Sequence, residues 1–198
     1  FYEYDVQGRL SGEHLGAGAQ AVQYTYDSAG TLTATNLAGE HSRQYFDMRG
    51  RTVQTEDALG RVSRFEYNAL GQLVRLIRPD GLGSEYEYDA RGNMIRSTDA
   101  MGYSTNFGYD ADFGNLLWFR DARGNTTHYG FDDNGNLVSI TYPNATVETY
   151  DVDLFGNVIQ STNRRGQSID YTYNEDGLLI RKDYPNGEFV DYTYDAYG

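Results

Sequence analysis

The stretch "SIDYTYNEDGLLIRKDYPNGEFVDYTYDAYG" occupies residues 168–198, and inside it "DYTYNEDG" (170–177) returns 21 residues later as "DYTYDAYG" (191–198). Aligned on the glycine of "YDxxG", the whole chain shows ten such marks: Gly8, Gly30, Gly50, Gly71, Gly92, Gly114, Gly135, Gly156, Gly177 and Gly198. Their successive separations are 22, 20, 21, 21, 22, 21, 21, 21 and 21 residues. A fixed period of that length means that stacked supersecondary units, not one closed globule, organise the fold.

Each unit carries a second punctuation mark about ten residues after the first: Gly18, Gly39, Gly60, Gly81, Gly102, Gly124, Gly166 and Gly187, with Ala145 in the one remaining slot. Pro79, Pro143 and Pro185 all fall eight residues after a "YDxxG" glycine and open "PDG", "PNA" and "PNG". Proline presets a turn dihedral and Asn, Asp or Gly tolerates the left-handed one, so these slots are turns. Where proline is missing the slot reads "DALG", "DAMG" or "DARG", a turn built on Asp57, Asp99 or Asp121.

Between turns lie runs of about seven residues such as "NLVSITY" and "QLVRLIR", rich in β-formers and too short for ordinary helices, which reads as strand. Two positions after the first glycine the residue is apolar in eight of nine cases (Leu10, Leu32, Leu73, Met94, Leu116, Leu137, Val158 and Leu179), with Thr52 the exception. Ahead of that glycine stand i, i+2 aromatic pairs, for example Tyr24 and Tyr26, Phe65 and Tyr67, Tyr86 and Tyr88, and Tyr171 and Tyr173. Such a pair lies on one face of a strand, so stacked units are expected to set tyrosines beside each other along the sheet. Recurrence in nearly every unit favours lateral packing over a role as platforms for sugars or bases.

The predicted fold is therefore all-β: tandem hairpins of about 21 residues forming one long curved antiparallel sheet. Two strands per unit advance a sheet by about 10 Å, so nine units give a strip of about 90 Å that must twist and curl. A narrow β-solenoid with one coil per unit is the alternative; two strong turns separated by strands of equal length favour the meander. The organisation expected is one array over residues 1–198, about nine units, incomplete at both ends.

At 198 residues the chain is long enough for a sizeable core. Its 19 Tyr and 23 Gly against 3 Pro fit strands and tight turns. The net charge of −13 opposes binding to phosphate backbones, so no nucleic-acid partner is expected, and many of the acids occupy repeated turn positions. There is no cysteine and no apolar run of membrane-spanning length, so no disulfide, thiolate metal site or membrane insertion by this segment is expected.

Catalytic, cofactor and metal residues are expected to be absent. His14, His41 and His128 share no ligand spacing and read as surface or turn residues. "DDNGN" around Gly135 has Leu137 where a calcium loop needs glycine. Asp110 with Asp112, Asp132 with Asp133, and Glu175 with Asp176 pair carboxylates, but in equivalent turns and not across one cleft. The sequons at Asn125 and Asn144 are explained by turn composition. No nucleophile elbow or phosphate loop occurs.

These units resemble the YD repeats of the Rhs family, found in Rhs polymorphic toxins, the C component of insecticidal toxin complexes and teneurin ectodomains. The resemblance rests on "YDVQGRL", "YDSAGTL", "YDARGNM", "FDDNGNL" and the full unit "DALGRVSRFEYNALGQLVRLIRPDG" (57–81), and it covers the whole chain. It departs at "YDADFGNL", with one extra residue before Gly114, at "YDVDLFGN", with Val152 in the tyrosine slot, and at "YFDMRG", which follows a short unit. Bulges or adjusted turns are expected there. The resemblance implies a non-enzymatic segment of a β-shell enclosing a C-terminal toxin or cargo domain of a larger secreted or cell-surface-delivered protein, in bacteria an effector. Its implied partners are the rest of the same polypeptide, with secretion-system components or glycans beyond it. A recognition module binding glycans or a receptor is the alternative reading, and an enzyme the weakest.

Overall fold

A computed structural model describes residues 1–16 and 20–195; Gly18 and Gly198 of the repeat lie outside the described residues. The chain divides into two compact units: Phe1–Tyr88 with Ser97–Tyr103, and Asp89–Arg96 with Ser104–Gly198. The strands that open the chain are Tyr2–Tyr4 (β1), Leu10–His14 (β2), Gln20–Tyr26 (β3), Leu32–Asn36 (β4) and His41–Phe46 (β5). Then come Thr52–Glu56 (β6), Val62–Tyr67 (β7), Leu73–Ile77 (β8), Gly83–Tyr88 (β9) and Met94–Thr98 (β10). Ser104–Tyr109 (β11), Leu116–Arg120 (β12), Thr126–Phe131 (β13), Leu137–Thr141 (β14) and Val147–Val152 (β15) follow. Val158–Thr162 (β16), Ser168–Tyr173 (β17), Leu179–Asp183 (β18) and Phe189–Asp191 (β19) complete the set. Within each unit the strands pair antiparallel with their neighbours in sequence, which is the meander and not the solenoid.

Most strands run five or six residues, shorter than the seven-residue reading, because the turns take a larger share. At the turn opened by Asp57, its N–H donates to the Arg61 carbonyl at 3.0 Å and the Gly60 N–H donates back to the Asp57 carbonyl at 2.9 Å. Gly60 has φ +74°, the left-handed residue that closes a three-residue hairpin loop. The same pair of bonds recurs at both punctuation marks, including the proline turns, where Gly81 donates to Arg78 at 2.9 Å. Ala145 is the one non-glycine among the described residues with positive φ, at 61°.

Bulges are the rule and not a local repair. On β7 and β8, Tyr67 faces Leu73 but Glu66 faces Arg75, so Val74 is the extra residue. The same step occurs between β5 and β6, β11 and β12, β13 and β14, β15 and β16, and β17 and β18. The pair β3 and β4 runs in continuous register, and it opens the unit that spans only 20 residues, from Gly30 to Gly50. A 21-residue period thus contains one bulge residue, and the short unit omits it. The long unit before Gly114 instead absorbs its extra residue in the turn, where Asp110 N–H donates to the Asn115 carbonyl at 2.9 Å.

Length does not translate into a core here: no hydrophobic side chain is buried among the described residues. Within each unit the strands pack mainly on their sequence neighbours, so packing among the described residues is lateral. The faces nonetheless differ. Following the register, Tyr67, Phe65, Leu73 and Leu76 share one face, while Glu66, Arg75 and Glu85 share the other. In the second unit Tyr129 opposes Ile140 and Phe131 opposes Leu137, while Gly130 opposes Ser139. Tyrosines therefore do not lie beside tyrosines, as the repeat suggested. A hairpin meander alternates aromatic with aliphatic strands, so the pairs are aromatic–aliphatic, each worth about 0.2–1 kcal/mol.

Candidate functional site

The surface that repeats is the aromatic face and its two rims of turns. Its most regular polar feature is the tyrosine of each "YD". Tyr67 Oη donates to the Thr52 carbonyl at 2.8 Å, Tyr88 to Leu73 at 2.9 Å, Tyr109 to Met94 at 2.9 Å, Tyr173 to Val158 at 2.9 Å and Tyr194 to Leu179 at 2.8 Å. Tyr26 does the same to Leu10 at 3.0 Å. Each acceptor is the first residue of a second hairpin strand, and at Leu10, Thr52, Leu73, Val158 and Leu179 the bulge interrupts the ladder there, so the phenol ties one hairpin to its predecessor. Partial burial pushes the Tyr88 and Tyr109 phenols up. Phe46, Phe131 and Val152 fill the tyrosine slot without a hydroxyl to donate.

The aspartate of "YD" serves the turn. Asp47 Oδ1 accepts from the N–H groups of Arg49 at 2.8 Å and Arg51 at 3.0 Å, and Oδ2 accepts from Arg51 Nε at 2.7 Å. The Arg51 guanidinium then lies over the Tyr67 ring, 4.6 Å from its centroid, as Arg9 lies 4.1 Å from that of Tyr26. Turn, rim arginine and next hairpin are thereby coupled, with a cation–π contact worth about 0.5–1 kcal/mol. The guanidiniums of Arg51 and Arg61, followed by their backbone N–H groups, hold the Asp47 and Asp57 carboxyls below the ordinary value. At Asp121 and Asp153 the amides of Asn125 and Asn157 do so against partial desolvation. Asn68 makes the same turn without a charge, accepting from Leu70 N–H and Gln72 N–H, both at 3.0 Å.

The residues weighed for chemistry are dispersed. His14 stacks on Phe1 at 4.5 Å and its Nε2 lies 3.3 Å from Glu3; His41 Nδ1 is 2.9 Å from Thr35 Oγ1; His128 opposes Trp118 across β12 and β13. Asp110 and Asp132 are occupied by the backbone of their own turns, with Asp112 and Asp133 beside them, while Glu175 and Asp176 lie in the separate turn opened by Asn174. Asn125 Nδ2 donates to Asp121 at 2.9 Å, and Asn144 Oδ1 accepts from Thr146 Oγ1 at 2.7 Å. No group of three His, Cys, Asp or Glu able to hold a metal occurs among the described residues. The rims also carry apolar side chains standing in solvent, among them Val6, Met48, Leu154 and Phe155. Sequence reading missed the tyrosine bonds and the arginine stacking. The available signal was the apolar dipeptide two and three residues after six of the first glycines, Leu-Val, Met-Ile, Leu-Leu, Val-Ile or Leu-Ile, which Leu32-Thr33 of the short unit lacks.

A one-layer hairpin meander with turn carboxylates and hydrogen-bonded "YD" tyrosines defines a structural repeat protein. The chain belongs to the teneurin YD-shell family, whose profile matches residues 1–129, and the RHS repeat profile matches residues 112–147 and 152–188. A sequence search of curated proteins found no match. Among solved structures, TcdB2-TccC3-TEV aligns with a TM-score of 0.73 and 16% identity over 98% of this chain and 12% of that one. TcdB2-TccC3-Cdc42 gives 0.62 and 15% identity over 96% and 14%. A Photorhabdus luminescens Tc holotoxin pore gives 0.59 and 14% identity over 94% and 14%. The likeness establishes the fold, and this chain spans less than a sixth of those chains.

Proposed function

We propose that the chain is a non-enzymatic stretch of wall in a YD-repeat shell that encloses a C-terminal cargo domain of a larger secreted or surface-delivered polypeptide. The observation that carries this reading is the sheet of each unit: an aromatic–aliphatic face, an opposite face that gathers the charges although it also carries Val62, Ile77 and Trp118, and no buried hydrophobic side chain among the described residues. A continuous apolar face of this kind on an outer surface would be an aggregation liability. The reading therefore puts the aromatic face toward the enclosed space, where further repeats and cargo shield it. The polar face, with pairs such as Arg75–Glu85 at 3.6 Å, meets solvent. Bulges bend strands and raise their twist, so one per repeat suits a wall that must close around a volume.

The partners under this reading are other repeats of the same polypeptide and its cargo, with toxin-complex components beyond them. Limited proteolysis of the full-length parent tests enclosure: the C-terminal domain should be cut far more slowly with the repeats present than with them deleted, and equal rates would refute it. Facing is tested separately by bulky maleimide labelling of Tyr171→Cys and Thr172→Cys in the intact parent. Thr172→Cys should react and Tyr171→Cys should be protected; the reverse pattern would invert the wall.

A further inference from the structure

We infer that the first unit carries a saccharide-binding notch on its aromatic face, which the proposed shell would turn toward its interior and which the separate chain presents to solvent. The first position of each i, i+2 pair is aromatic in nine units (Tyr2, Tyr24, Phe65, Tyr86, Phe107, Tyr129, Tyr150, Tyr171 and Tyr192), and only Gln44 breaks the series. A cavity of about 310 Å³ opens where that ring is missing, at the small end of small-molecule sites.

Register builds its floor. Tyr24 opposes Ala34 and Ala34 opposes Ser42, while Leu32 opposes Gln44, Gln44 opposes Thr55 and Thr55 opposes Ser63. Four neutral polar side chains from three adjacent strands, β5 to β7, thus stand together between the Tyr24 ring and the Phe65 strand. Ser42 and Gln44 are exposed and Thr55 and Ser63 half-buried, and none of the four makes a side-chain hydrogen bond among the described residues. The Tyr24 hydroxyl is committed to Glu13 at 2.9 Å, which leaves its ring as the wall.

The chemistry selects the ligand. The charged pair at the rim neutralises itself, Arg61 with Asp57 at 2.6 Å, and Arg43 pairs with Glu56 at 2.8 Å on the opposite face, so no uncompensated cation awaits an anion. A hydroxyl-and-amide floor is unsuited to a purely apolar guest, which would leave those groups unpaired. Hydroxyls and a carboxamide both donate and accept, matching the vicinal hydroxyls of a pyranose, whose apolar ring face packs on an aromatic wall. One or two sugar rings are the occupant. An extended peptide needs a strand edge for its backbone, and the notch lies on a face.

The test is a titration of the isotope-labelled full chain with maltose, cellobiose and N-acetylglucosamine, one at a time, followed by NMR, with tetraglycine as the peptide probe. Saturable shifts confined to β3–β7 with at least one sugar, at a Kd of roughly 1 mM, are expected for so small and open a site. Gln44→Tyr, which restores the ring, should weaken binding at least about tenfold, equivalent to about 1.4 kcal/mol. The double variant Thr55→Val, Ser63→Ala should do the same without filling the notch, and Thr172→Ala in the second unit should leave the titration unchanged. The inference fails if no sugar saturates, if the shifts spread through both units, if both notch variants bind normally, or if tetraglycine alone binds.

Discussion

Replacing Tyr88 by Phe removes one atom and isolates the bond that ties two hairpins. The lost contact is Tyr88 Oη donating to the Leu73 carbonyl at 2.9 Å. A neutral hydrogen bond contributes about 0.5–1.5 kcal/mol net, and a carbonyl stranded without access to water costs about 1–3 kcal/mol. Neither β8 nor β9 contains a buried residue, so water can reach the carbonyl and the lower range applies, about 1 kcal/mol. In a repeat array stability is a sum of unit and nearest-neighbour terms, so the loss stays local. Native-state hydrogen exchange reads it directly: amides of Leu73–Ile77 and Gly83–Tyr88 should exchange about fivefold faster, and those of β16 to β18 should not change. The reciprocal variant Phe131→Tyr offers a phenol where the repeat places the Leu116 carbonyl and should slow exchange in β12 and β13. Unchanged protection around Leu73 in Tyr88→Phe, or an equal change in every strand, would refute the assignment of inter-hairpin coupling to this hydroxyl.

Ala145 sits at φ 61°, where glycine is free of the steric cost; Ala145→Gly should stabilise the second unit by about 0.5–1 kcal/mol in urea denaturation, and a loss would contradict the turn assignment. Gly108 lies under Trp118, whose indole a Cβ would strike, whereas at Gly130 the obstacle is the rotatable Ser139 hydroxyl. Gly108→Ala should therefore cost about 1–3 kcal/mol and shift the tryptophan emission, with Gly130→Ala much milder; equal effects would count against this packing. Acid should loosen the aspartate turns before the asparagine ones. The folded Asp47 and Asp57 values lie below the unfolded 3.8, so their contribution is complete above 3.8 and is lost as pH falls through the depressed folded values. Exchange at pH 3 should accelerate around Gly50 and Gly60 more than around Gly71, whose turn rests on Asn68; equal acceleration would remove the carboxylates as the cause.

Local chemistry was legible in the sequence because it repeats. Glycine, proline, aspartate and asparagine positions marked the turns, and the i, i+2 aromatics marked one face of most first strands. The bulge was hidden, because Leu73-Val74 reads as uninterrupted strand and its extra residue is already counted in the 21-residue period. The tyrosine bonds were hidden for the same reason, since a partner 15 residues away becomes a neighbour only once the bulge has set the register. Length alone was silent about a core, because it bounds how much surface can be buried while topology decides whether a second layer exists to bury it. Gln44 was legible as a gap in a pattern, but its unpaired neighbours Ser42, Thr55 and Ser63 meet only through strand pairing.

A sheet one layer thick also has a mechanical signature. Among the described residues each strand grips chiefly the ones beside it, so tension applied across the strands would peel hairpins away singly, in a sawtooth of small, nearly equal force drops. A polypeptide drawn out of such a wall, or a wall drawn open around it, would yield tooth by tooth like a zip, with no single rupture event.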